Sequence, residues 1–113
     1  MNIDTYDFGK VVIDGREYSS DIILLPDRIL DHWWRKEGHR LQKEDLEAVI
    51  ASGVHLLVIG TGMHGMMQVP AETLSYLERK GITSLVLKTR EACRAFNEQG
   101  KKGGVIGAFH LTC

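Results

Sequence analysis

The chain has 113 residues, a formal charge of −1 from 14 basic and 15 acidic side chains, and 43% apolar residues. That is the length of one domain, 1–113, with enough apolar material for a core, which argues against disorder. The balanced charge lacks the basic field of a nucleic-acid binder, and no apolar stretch approaches membrane-spanning length.

Residues 6–13 read as extended chain. Asp14-Gly15 follows, a two-residue hairpin signal that turns Arg16, Glu17 and Tyr18 back onto residues 10–13. Residues 22–25 are a short apolar strand stopped by Pro26, which cannot donate to a ladder. Residues 28–34 read as a further extended segment around Ile29, Trp33 and Trp34, with one tryptophan in the core and its neighbour exposed, because adjacent strand residues face opposite sides. A turn is expected at Glu37-Gly38.

A first helix is expected over residues 42–52, with Leu46, Val49 and Ile50 forming one stripe and Gly53 in the left-handed position beyond its end. Residues 54–59 then form a strand buried on both faces, as a near-continuous apolar run implies. After a glycine loop, Pro70 suits the first position of a second helix carrying Leu74 and Leu77 and closed by Gly81. Residues 83–88 form the next strand, with Leu85, Val86 and Leu87 as its core. Thr89 is placed to cap a third helix over residues 90–99 that buries Ala92, Cys93 and Phe96. Residues 105–111 form the last strand. Alternating strands and helices predict an α/β fold: a mixed, mostly parallel sheet with right-handed crossovers, plus an N-terminal antiparallel hairpin layer. The strands at residues 54–59 and 83–88 should be parallel neighbours with their carboxyl ends at one sheet edge.

That edge is where ligands bind in open α/β sheets. Gly60, Thr61, Gly62 and Gly65 make up the loop there. Gly60-x-Gly62-x-x-Gly65 matches the dinucleotide fingerprint by letter, but Met66, Met67, Gln68 and Val69 separate it from the helix start, and no acid ends the next strand. No cofactor is therefore expected. Lys88, Thr89 and Arg90 open at the same edge, where free N–H groups and two cations suit a small anion. His64 is the one histidine placed for acid–base work, although no acid in its loop could orient it. His32, His39, His55 and His110 lack metal-ligand spacing, and Cys93 and Cys113 are too few and too far apart for a zinc site, so no metal is expected. The two thiols and the absence of a signal-like segment in residues 1–7 read as a cytoplasmic protein.

Several pieces together resemble a known family. They are Tyr18, Asp21-Ile-Ile-Leu-Leu25-Pro26 with a tryptophan downstream at Trp33 or Trp34, Leu56-Leu-Val-Ile-Gly-Thr-Gly62, Pro70-Ala-Glu72, and Thr89-x-x-Ala92 with Phe96-Asn97. The chain resembles the small α/β domain shared by the adipogenesis-associated domain-containing protein of animals, the mitochondrial complex I assembly factor 3 and many uncharacterised prokaryotic and archaeal proteins. The resemblance implies a three-layer α/β fold with a central mixed sheet and an extra β layer. It supplies no catalytic residues, and its eukaryotic members act in assembly or regulation, which implies binding partners.

The reading is a non-enzymatic domain, monomer or homodimer, that binds a small molecule such as a small anionic ligand, or a protein, with its pocket between the loops at residues 60–65 and 88–90 and Gly60, Thr61, Gly62, Lys88, Thr89 and Arg90 as the candidate ligand-binding residues. Two alternatives accompany it: an enzyme acting on a small anionic metabolite with His64 as acid or base, and a pure interaction module using Trp33, Trp34 or an exposed sheet edge. Asn97 is open between a pocket lining and a local helix hydrogen-bonder.

Overall fold

Two glycines start the chain's first three strands on their way. In the computed structural model, which describes all 113 residues, β1 (Ile3–Asp7), β2 (Lys10–Ile13) and β3 (Arg16–Tyr18) form an antiparallel sheet. Residues 6–13 are therefore not continuous extended chain. They break at Phe8-Gly9, where Gly9 takes φ +73° and the Asp7 carboxylate accepts the Phe8 N–H at 2.8 Å. The second turn is the expected one. Asp14 (φ +49°) and Gly15 (φ +83°) supply the two positive φ values that a tight hairpin needs, and Ile13 pairs with Arg16.

A second sheet of five strands holds β4 (Ile22–Leu24), β5 (Ile29–Leu30), β6 (Leu56–Thr61), β7 (Thr83–Leu87) and β8 (Val105–His110) in the order β5-β4-β8-β6-β7. β6 pairs in parallel with both β7 and β8, as its buried apolar run requires, and β4 is antiparallel to β8. Strand β6 lies two residues later than residues 54–59. Ser52, Gly53 and Val54 are spent on a turn in which the Ser52 hydroxyl accepts the Val54 N–H, and pairing continues through Gly60 and Thr61. Residues 28–34 pair only at Ile29–Leu30. His32, at φ +55°, ends the extended run before the tryptophans.

The expected first helix is a 3₁₀ turn (Lys43–Leu46) running into a short α1 (Glu47–Ala51), started by the Asp45 carboxylate accepting the Gln42 N–H at 2.8 Å. Leu46 and Val49 are fully buried and Ile50 half-buried. Pro70 holds the capping position of α2 (Ala71–Arg79) rather than its first turn, and α3 covers Thr89–Gly100. Gly53 and Gly81 take the left-handed φ values (+73° and +78°) expected beyond a helix end.

Alternation along the buried strands divides the apolar side chains into two cores. Leu57, Ile59, Ile106 and Ala108 face α1 and α2. Val58, Val105 and Phe109 face α3 and the inner side of the three-stranded sheet, where Ile3, Tyr6, Val11 and Ile13 pack on Ala92, Cys93 and Phe96. The architecture is thus helices, mixed sheet, then a helix with a second sheet. α3 is fastened to β1 at two points. The Asn97 side chain accepts the Ile3 N–H and donates to the Ile3 carbonyl, both at 2.8 Å, and Arg90 donates to the Tyr6 carbonyl at 3.1 Å. Seven helical residues rise about 10 Å, and three strand residues span about the same, so the helix and the strand edge keep step.

Candidate functional site

The glycine loop begins inside the sheet. Thr61, the last residue of β6, pairs with His110 of β8, and its hydroxyl donates to the Leu87 carbonyl. A Cβ on Gly60 would lie 2.8 Å from both Phe109 Cδ1 and Thr89 Oγ1, so this glycine lets the first turn of α3 sit directly on the strand. Gly62 combines φ +103° with a Cβ position only 2.3 Å from the Cys113 carbonyl carbon. The following backbone is tied to that segment, with Met63 and Met66 N–H donating to the Thr112 and Cys113 carbonyls at 2.7 and 3.0 Å.

Thr89 is fully buried and braces three elements. Its hydroxyl donates to the His110 carbonyl at 2.6 Å and accepts the Gly62 N–H at 2.8 Å, while its own N–H donates to the Gly62 carbonyl at 3.0 Å. It is the first residue of α3, and extended Lys88 holds the capping position assigned to Thr89 from the sequence. The Lys88 stem lies beside Gly65. Gly60, Thr61, Gly62, Lys88 and Thr89 are thus brought together. Arg90 is carried to the far side, 5.4 Å from the Tyr6 ring centroid, with its guanidinium on the Tyr6 carbonyl. His64 is exposed, its ring 6.3 Å from that of Phe8. Asn97, left open by the sequence, serves the β1 edge.

Behind the loop, on the α1/α2 side, lies a buried ionic cluster that sequence reasoning missed. Asp21 Oδ2 is 2.8 Å from both His110 Nδ1 and Arg35 Nη2, and Oδ1 accepts the Leu111 N–H at 2.7 Å. Arg35 Nη2 also donates to the Gly38 carbonyl at 2.6 Å. Burial works to raise the Asp21 pKa, but the His110 hydrogen bond, the Leu111 amide and the two neighbouring charges outweigh it and hold the carboxyl below its ordinary value of 3.8. An ionised Asp21 accepts the proton carried by His110 Nδ1, which leaves Nε2 as the other ring nitrogen. That atom and Arg35 Nη1 are buried without a protein partner. The exposed His39 ring stands edge-on over His110 at 5.4 Å.

The cluster anchors the loop that carries both tryptophans. The Arg35 guanidinium lies 4.7 Å from the Trp33 ring centroid, and Trp33 Nε1 donates to the Asp45 carbonyl at 3.0 Å. Trp33 N–H donates to the Asp21 carbonyl at 2.9 Å. Trp34, between two anchored neighbours, is 77% exposed. In the ionic cluster, Arg35 and His110 stand 14 and 89 positions from Asp21 in sequence, so no spacing pattern could reveal it. The one local sign was an acid just before an apolar strand.

Known proteins share this architecture. A human protein named NADH dehydrogenase [ubiquinone] 1 alpha subcomplex assembly factor 3 is 28% identical over 111 residues, covering 96% of this chain and 59% of its own length, so the chain spans about three fifths of that relative. The crystal structure of a conserved hypothetical protein from Pyrococcus horikoshii OT3 superposes with a TM-score of 0.84 at 29% identity over 100% of both chains. That of an outer membrane protein from Bartonella henselae does so with a TM-score of 0.83 at 25% identity, over 98% of this chain and 94% of its own. No helix here is long and apolar enough to cross a membrane. The chain belongs to the family described as protein of unknown function (DUF498/DUF598), which matches residues 3–110.

Proposed function

We propose that this member of the DUF498/DUF598 family is a protein-binding module that works by docking, with Trp34 as its anchor. The observation that carries this reading is the 77% exposure of Trp34 on backbone held from both sides by the buried Asp21–Arg35–His110 cluster and by Trp33. Large exposed aromatics contribute disproportionately at interfaces. One held in place before binding loses little freedom on docking. The name of the human relative, an assembly factor, points the same way. In this reading Gly60, Thr61, Gly62 and Thr89 form the brace that joins β6, β8 and α3, and the Thr89 N–H that a small anion would use is already bonded to Gly62.

The test is site-specific photo-crosslinking in cells, with the photoreactive residue at exposed Lys36 beside Trp34 or, as control, at exposed Glu98 on α3. Discrete protein adducts are expected from position 36 and not from position 98. Trp34→Ala should leave thermal stability within about 0.5 kcal/mol while removing the adducts formed at position 36. Equal labelling from positions 36 and 98, or position-36 adducts unaffected by Trp34→Ala, would remove Trp34 as the anchor.

A further inference from the structure

Strands at the rim of a sheet expose unpaired N–H and C=O groups, and folds blunt such rims with charge, proline, short length or cover. This protein has four rims, on β1, β3, β5 and β7. β1 is covered by Asn97 and Arg90 of α3. β3 has three residues, two of them the charged Arg16 and Glu17. β5 has two residues, flanked by Asp27, Arg28 and Asp31. β7 has no charge, proline or shortness of its own, its nearest charge being Lys88 just beyond its end. Thr83-Ser-Leu-Val-Leu87 is five residues without charge, proline or glycine, and Val86 is 40% exposed at the rim rather than in the core where the sequence placed it.

The register states which groups are free. The Thr83 N–H donates to the His55 carbonyl at 2.8 Å, and Leu56 pairs with Thr83, Val58 with Leu85 and Gly60 with Leu87. Backbone groups alternate in direction along a strand. Thr83, Leu85 and Leu87 therefore bond inward to β6, and Ser84 and Val86 present theirs outward.

We propose that β7 is a self-association edge at which two copies of this chain pair antiparallel about a two-fold axis through Leu85, fusing their five-stranded sheets into one continuous sheet. The inference goes beyond the Trp34 surface and concerns a different edge of the molecule. The second copy is the occupant because the free groups are self-complementary. An axis at Leu85 sets Ser84 opposite Val86 of the other copy, and vice versa. Each such pair exchanges two bonds, so about four close at once. The same patch serves both copies, as a closed two-fold dimer requires. The uncharged strand places no like charges opposite each other, and Lys88 falls opposite Ile82 of the second copy.

The experiment combines sedimentation velocity with amide exchange by NMR from micromolar to millimolar concentration. A concentration-dependent dimer is expected, with the Ser84 and Val86 amides exchanging at least about tenfold more slowly at high concentration, while exchange at Thr83, Leu85 and Leu87 changes much less. Val86→Lys should be monomeric with an unchanged circular dichroism spectrum, Val86→Thr should still dimerise, and Trp34→Ala should dimerise normally, which separates this edge from the docking surface. A wild-type monomer throughout the range overturns the proposal. So does a dimer that survives Val86→Lys, or concentration-independent exchange at Ser84 and Val86. The exchange measurement on the wild type decides the matter if Val86→Lys does not fold.

Discussion

Replacing Asn97 with alanine removes two 2.8 Å hydrogen bonds, one to the N–H and one to the carbonyl of Ile3. Ile3 is only 5% exposed, so water does not readily replace them. A buried backbone group left without a partner costs about 1–3 kcal/mol. Two such groups, relieved in part because they lie at a sheet edge, put the loss at about 3 kcal/mol. With an unfolding entropy of about 2.1 cal/mol/K per residue, that lowers Tm by about 12 °C for this chain. Urea denaturation and calorimetry measure it directly, and the Ile3 amide should lose exchange protection selectively. Asn97→Asp sharpens the test. Its carboxylate keeps an acceptor for the N–H but sets a second oxygen against the Ile3 carbonyl, so it should be at least as damaging as alanine at neutral pH. It should recover stability as the pH falls and the acid gains an O–H to donate. Loss of less than about 1 kcal/mol in Asn97→Ala, or an Asn97→Asp protein indifferent to pH, would refute the view that this side chain substitutes for a neighbouring strand.

Two further outcomes follow from the site. Gly62→Ala forces a Cβ to within 2.3 Å of the Cys113 carbonyl carbon at φ +103° and should cost more than about 3 kcal/mol, whereas Gly53→Ala, at φ +73° in open space, should cost about 1 kcal/mol; equal urea midpoints for the two would contradict the packing of the glycine loop. Asp21, with its folded pKa below the ordinary 3.8, contributes stability above the unfolded value that is lost as the pH falls through the folded one. Asp21→Asn should therefore lose about 3 kcal/mol at neutral pH, and the difference from the wild type should shrink only as the pH falls from the unfolded value of 3.8 through the lower folded one; parallel pH–stability curves would show that Asp21 is not the group being titrated.

The sequence carried whatever rests on neighbours along the chain. The parallel pairing of β6 with β7 followed from strand–helix–strand spacing, and the turn at Asp14-Gly15 followed from two residues that tolerate positive φ. Gly53 and Gly81 ended their helices for the same backbone reason. Phe8-Gly9 escaped notice because residues 6–13 read as one extended run, although Asp7 at the first position and Gly9 inside are both turn residues. Thr89 was correctly read as a hydroxyl at a helix start. Its partners, Gly62 in the loop after β6 and His110 in β8, lie 27 and 21 positions away, and this moved it from capping a helix to joining three elements. Arg90 was legible as a cation beside the loop but not in direction, because only the packing of β1 on α3 shows where its guanidinium lies. The Asp21–Arg35–His110 cluster had no pattern to read, since ion pairing depends on distance in space alone.

The strand order β5-β4-β8-β6-β7 places the eighth strand between the two pairs that precede it. During synthesis, β4–β5 and β6–β7 can each form locally, but neither has its neighbour in the sheet until residues 105–110 emerge. Until then one side of β4 and one side of β6 are bare, and β6 carries Leu57, Val58 and Ile59, which end fully buried. Gly9, Tyr6 and Asp21 then close on Leu111, through contacts more than 80 positions apart. Non-local closure of this kind slows folding. The emerging chain therefore passes through an interval in which β6 is an open template for pairing with another chain.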